Sequence, residues 1–174
     1  MHHLYLENLQ EIEQLVGYKF NNPHLLFEAF THSSYANENF LTSNERLEFL
    51  GDIVLGFIVS DYLFSLKPEL NEADMSKIRA YLISKKFLCL MSKKLLLGRF
   101  LLLGKGERLS GGDSKDSILA DAMEALIGAI YLDGGIAPVK DFILRIIAEI
   151  FASMPFPQQE EQDFLLNLQN RQSL

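Results

Sequence analysis

Asn44-Glu45-Arg46-Leu47-Glu48-Phe49-Leu50-Gly51-Asp52-Ile53-Val54-Leu55 sets three carboxylates in a run whose other residues ask to be buried. On a helix each residue turns about 100°, so Glu45, Glu48 and Asp52 fall within roughly 60° of one another and form an acidic stripe. Leu47, Phe49, Leu50, Ile53, Val54 and Leu55, continued by Phe57, Ile58 and Val59, cover nearly every other direction. A helix apolar all round belongs in a core. Acids on such a helix must protonate, pair with cations or bind metal, because an unpaired buried carboxylate is costly.

Ser117 to Leu132 repeats the pattern, with Asp121 and Glu124 as the only charges. Three residues apart, they share one helix face, and Ala120, Ala122, Ala125, Gly128 and Ala129 allow another helix to come close. Two such helices can meet if a cation neutralises them. Arg46 points away from the stripe. Oxygen ligands without nearby Cys or His favour Mg²⁺, with Mn²⁺ as substitute, over zinc. Structural ion pairs with lysines of the segment that follows are the alternative. A di-iron centre needs Glu-x-x-His pairs, which neither Glu48 nor Glu124 begins. Mg²⁺ sites of few carboxylates commonly handle phosphate groups, which makes phosphodiester hydrolysis the leading reaction.

The rest of the chain reads as further helices. Leu6, Leu9, Ile12, Leu15 and Val16 have helical spacing, with Gly17 as a stop. Asn22-Pro23 opens a short helix, Ser43 or Asn44 caps the acidic one, and Lys67-Pro68 follows its end. Ala36 to Ser43 reads as a polar loop, and His32 before it as a hydrogen-bonded structural group. Asn71 with Asp74, then Ser84, cap the next two helices. Leu97 to Asp116 contains five glycines and ends in what reads as a mobile polar loop. Asp133-Gly134-Gly135 closes the second acidic helix and Pro138 begins the last. Period-two alternation is nowhere sustained, so the predicted fold class is all-α, one domain over residues 1–154, then a linker at 155–162 and a tail at 163–174.

The chain has 174 residues, 48% hydrophobic and 22% charged, enough for a sizeable core. No apolar run reaches a membrane span, the start lacks a secretion signal, and Cys89 has no partner, which together point to the cytoplasm. The net charge of −7 argues against a nucleic-acid partner until its distribution is considered. Between Ser76 and Asp116 ten basic residues face three acids, leaving six basic residues against twenty acids elsewhere. Such a basic segment serves either as a solvated helix surface or as a seat for a phosphate backbone.

Four segments carry a family resemblance. NERLEFLGDIVL (Asn44–Leu55) resembles the signature of the ribonuclease III family, and SILADAMEALIGAIYLDGG (Ser117–Gly135) resembles its second acidic helix. THSSYANE (Thr31–Glu38) and ADMSKIRAYL (Ala73–Leu82) match in type and order, so the likeness covers about residues 8–153. It implies an all-helical, Mg²⁺-dependent endonuclease of double-stranded RNA that leaves 5′-phosphates, 3′-hydroxyls and short 3′ overhangs. Glu48, Asp52, Asp121 and Glu124 match the family's metal-binding acids, Asp52 and Glu124 among its catalytic residues. Glu45 and Glu72 match further catalytic acids at the site's edge. A homodimer is implied, with Phe49 matching an aromatic residue that plugs into the partner; by itself Phe49 reads as core.

Asp113 departs from the family pattern, standing where a basic residue is common, and leaves Lys115 as the candidate RNA contact of its loop. Asp163 to Gln169 resembles the first turns of a double-stranded-RNA-binding domain, truncated or degenerate. Without that module, weak and salt-sensitive cleavage is expected. The competing expectations are a catalytically silent RNA-binding or dimerisation module of the same fold, and a structural bundle with ion-paired acids.

Overall fold

The computed structural model describes residues 2–66 and 70–153; Lys67-Pro68, the linker at 155–162 and the tail at 163–174 lie outside them. Among the described residues, helices are α1 (His2–Val16), α2 (Pro23–Ala29), α3 (Ser33–Asn39), α4 (Glu45–Phe64), α5 (Glu72–Leu82), α6 (Lys85–Lys94), α7 (Lys105–Leu109), α8 (Asp116–Gly134) and α9 (Ile136–Ser153). The all-α expectation holds: the one β pairing among them is an isolated bridge between Thr31 and Leu102.

Local chemistry sets many of the boundaries. The Asn22 side chain accepts from His24 N with Pro23 in the first turn, and Asn71 accepts from Asp74 N while donating to its carboxylate. Ser84 caps α6 by accepting from Phe87 N. Gly17 (φ 69°) and Gly135 (φ 81°) take the left-handed half of backbone space after α1 and α8, where a Cβ is penalised. Asn44 stands in the cap position of α4 but caps nothing with its side chain. Buried instead, it donates to Ala29 O at 3.3 Å, while Ser43 Oγ donates to Glu45.

α8 forms the axis of the core. From Ile118 to Ile130 every residue but Asp121 is buried, with α2, α4, α6 and α9 packed around it. The approach of α4 to α8 depends on two glycines. A Cβ on Gly51 would overlap the Glu124 carbonyl, and one on Gly128 would overlap the Leu47 carbonyl. Backbone contact at this crossing sets the acids of both helices side by side. The far end of α8 is clamped by Asp133, whose carboxylate accepts from Tyr18 OH at 2.7 Å and from the backbone N–H of Asn21 and Asn22 at 2.8 Å each. Partial burial works to raise that carboxyl, but the hydrogen bonds from Asn21, Tyr18 and Asn22 outweigh it and hold it below its ordinary value.

Three sequence expectations change. Residues 33–39 form α3 instead of leading into a loop at Ala36, because His32 caps it, accepting from Ser34 N, and the Thr31–Leu102 bridge anchors its start. The glycine-rich segment folds into short helices at Leu97–Phe100, Lys105–Leu109 and Gly112–Ser114, its glycines admitting close contacts of Gly98 with the Asp113 carbonyl and Gly104 with Ser34. Finally, α4 is not buried all round. Phe49, Ile53, Phe57 and Phe64 are 72%, 55%, 59% and 79% exposed.

Candidate metal centre

The crossing of α4 and α8 brings Glu48, Asp121 and Glu124 together, with one carboxylate oxygen of each within 4.8 Å of the others. Glu124 is buried, 7% exposed, whereas Glu48 and Asp121 are half-buried. No Cys or His belongs to this group. Burial pushes the Glu124 carboxyl up to about 7, helped by Asp52, Glu48 and Asp121 and opposed by Lys85. Burial, then Asp121, also raises Glu48. Three converging oxygen donors, one of them buried and reluctant to ionise without a counter-charge, suit a hard divalent cation.

Asp52 is exposed and stands outside the three-carboxylate group, yet close enough to act on Glu124 and Glu48. Glu45 and Glu72 are both exposed at helix starts. Ser43 Oγ donates to Glu45 and Ser76 Oγ to Glu72, each at 2.7 Å. Glu45 acts electrostatically on Glu48 from the same helix face. Lys115 pairs with Glu107 and donates to Ser110 Oγ at 3.0 Å, which ties down the loop carrying Asp113.

The basic segment is largely committed within the chain. Lys85 pairs with Asp121, Lys93 with Asp116, Lys94 with Glu149 and Arg99 with Glu11, besides the Lys115 pair. The ion-pair alternative is thus realised in part: among the described residues, Asp121 is the one clustered acid with an ion pair. Lys85 is the site residue that sequence reasoning missed. Its pairing spans 36 positions, and the only signal was its place in the basic segment. Cys89, buried beside Asp116, has its thiol pushed up by burial, which keeps it inert.

Residues 22–150 match the sequence profile of the family described as Ribonuclease-III-like. The chain belongs to the ribonuclease-III-like family. A protein of Caldanaerobacter subterraneus subsp. tengcongensis named Ribonuclease 3 is 50% identical over 144 residues, covering 82% of this chain and 63% of its own. The Ribonuclease 3 of Campylobacter concisus is 42% identical over 156 residues, covering 90% and 69%. Among solved structures, a nuclease domain of Ribonuclease III from Campylobacter jejuni, described for flexibility in a region involved in dimer formation, superposes with a TM-score of 0.78 at 42% identity over 83% of this chain and 99% of that one. The chain spans 61–63% of the length of the first curated relatives it matches. The ribonuclease-III-like fold therefore accounts for α2 to α9, with both acidic helices inside the matched region.

Proposed function

We propose that the chain is a divalent-metal-dependent endonuclease domain that hydrolyses double-stranded RNA to 5′-phosphate and 3′-hydroxyl ends with short 3′ overhangs. The observation that carries this reading is the convergence of Glu48, Asp121 and Glu124 beside Asp52 at a glycine-mediated helix crossing, in a chain of the ribonuclease-III-like family. Glu48, Asp121 and Glu124, with Asp52 beside them, would hold Mg²⁺, for which Mn²⁺ would substitute. The chemistry such an ion would supply when bound is activation of water near neutral pH and stabilisation of negative charge on phosphate oxygens. The protein's part is to fix the oxygens: Glu124 is locked by burial in α8, and Asp52 adds charge from the solvent side. Glu45 and Glu72, at the rim, orient water or RNA hydroxyls. Lys115 reaches a phosphate only by leaving Glu107.

The substrate's two strands call for two sites, and a second copy of this chain supplies the other. Phe49, Ile53, Phe57 and Phe64 lie within roughly 80° on one face of α4, an exposed apolar stripe whose burial between two copies removes it from water. The acidic stripe borders it on the same helix, so each site lies beside the proposed interface. The dimer-related region named for the Campylobacter jejuni structure supports this reading. A-form RNA is recognised by shape, phosphates and 2′-hydroxyls, so sequence preference is slight. The sequence at 155–162 reads as a linker and that at 163–174 resembles a truncated or degenerate start of a double-stranded-RNA-binding domain, and the cytoplasm is where such substrates are met; no described helix is long and apolar enough to cross a membrane.

Incubating long double-stranded RNA with the protein in Mg²⁺ and in EDTA tests the proposal. Cutting in Mg²⁺ alone, to short duplexes with 5′-phosphates, is expected. RNA binding without cutting would favour a silent module, and neither would leave a structural bundle.

A further inference from the structure

Lys85 occupies the first turn of α6, where the exposed N–H groups and the helix dipole favour acids; Lys86 follows it and no acid is present in that turn. A cation in that position needs a compensating anion from elsewhere. Asp121 of α8 provides it: Nζ lies 3.0 Å from Oδ1, with the lysine side chain 67% exposed and the aspartate 26% exposed. The same ammonium is close enough to act on Glu48 and Glu124. Lys93, Lys94, Arg99 and Lys115 pair with acids outside the cluster.

We propose that Lys85 is the resident counter-cation of the carboxylate cluster, a positioning residue that competes with the divalent ion for Asp121 and so sets how tightly the site holds metal. The proposal rests on reading the cluster as a cation site. An ammonium at the Asp121 oxygen and a divalent ion drawing on the same oxygen repel each other, so one must yield. Lys85 is the mobile partner, because its long stem is mostly in solvent and an exposed ion pair is weak. In metal-free protein Lys85 holds Asp121 in place and offsets part of the acids' mutual repulsion. In metal-bound protein it moves off, and its displacement weakens the apparent affinity.

The test is calorimetric titration of Mg²⁺ alone into metal-free wild type, Lys85→Ala and Lys85→Arg, with thermal unfolding of each protein in EDTA and in saturating Mg²⁺. Lys85→Ala is expected to bind Mg²⁺ about five- to tenfold more tightly. Lys85→Arg, which keeps the charge, is expected within about twofold of wild type. Lys85→Ala should also melt below wild type in EDTA and recover in Mg²⁺, a pattern that a merely structural lysine would not give. Equal or weaker binding by Lys85→Ala overturns the proposal while leaving the cation site standing. Absence of saturable binding by all three proteins overturns both.

Discussion

Replacing Glu124 with Gln tests the energetic reading of the centre. The side chain is 7% exposed, and burial, followed by Asp52, Glu48 and Asp121, pushes its carboxyl up to about 7 from 4.5. That displacement corresponds to about 3 kcal/mol of destabilisation once the group is ionised in both folded and unfolded chains. Below about pH 4 the carboxyl is protonated in both states and costs nothing. As pH rises from 4.5 the unfolded chain ionises first, so stability falls until about pH 7, where the folded group follows and the loss is complete. Glu124→Gln removes this titration at nearly constant volume. In EDTA at pH 8 the variant should be more stable than wild type by about 2 kcal/mol, the burial of the amide taking back the rest. For a domain of this size that is a rise in Tm of about 4–8 °C. At pH 4, where only the cost of burying the amide remains, the variant should lie about 1 kcal/mol below wild type, so the difference changes sign across the range. Circular dichroism melts and urea titrations across this pH range read both quantities. Lower stability of the variant at pH 8, or an unchanged pH slope, would refute the view that Glu124 is a strained acid awaiting a cation.

Gly51→Ala places a Cβ into the Glu124 carbonyl; it should cost about 3 kcal/mol in urea titrations and weaken Mg²⁺ binding, because separating α4 from α8 separates the acids. Phe57→Glu, on the exposed stripe and away from the carboxylates, should shift sedimentation from dimer to monomer without lowering the melting temperature of the monomer, and an unchanged dimer would place the interface elsewhere. Asp133→Ala removes the acceptor for Tyr18, Asn21 and Asn22 and should cost about 2 kcal/mol near neutral pH, with the difference from wild type shrinking in acid as the depressed carboxyl is protonated.

The parts of this molecule legible in its sequence are those set by neighbours in the chain. Asn22-Pro23, Asn71 with Asp74, and Ser84 announce helix starts through side chains that reach a few residues, and those starts are found. The two acidic helices were legible because carboxylates in apolar runs are expensive, and Gly128 already hinted that another helix lies close. What escaped depends on distant contacts. α3 is polar and short, and exists because of the His32 cap and the Thr31–Leu102 bridge. Gly98 and Gly104 resemble loop glycines until Asp113 and Ser34 are seen against them. Phe49, Ile53, Phe57 and Phe64 carry the same hydrophobic signature whether buried or exposed, and only the fold separates the two cases. Lys85 was one basic residue among ten until α6 brought it to Asp121.

Single-turnover cleavage of a uniform double-stranded RNA by wild type and Glu124→Ala, at saturating Mg²⁺ and with folding of both verified, bears most directly on the carboxylate cluster as a catalytic metal centre. Because loss of residues that merely support metal ligands costs about 10- to 100-fold, loss of a ligand should lower the rate by about a hundredfold or more. Chelator should bring wild type to the same floor. Cleavage by Glu124→Ala at the wild-type rate, or wild-type cleavage that persists in EDTA, would contradict it.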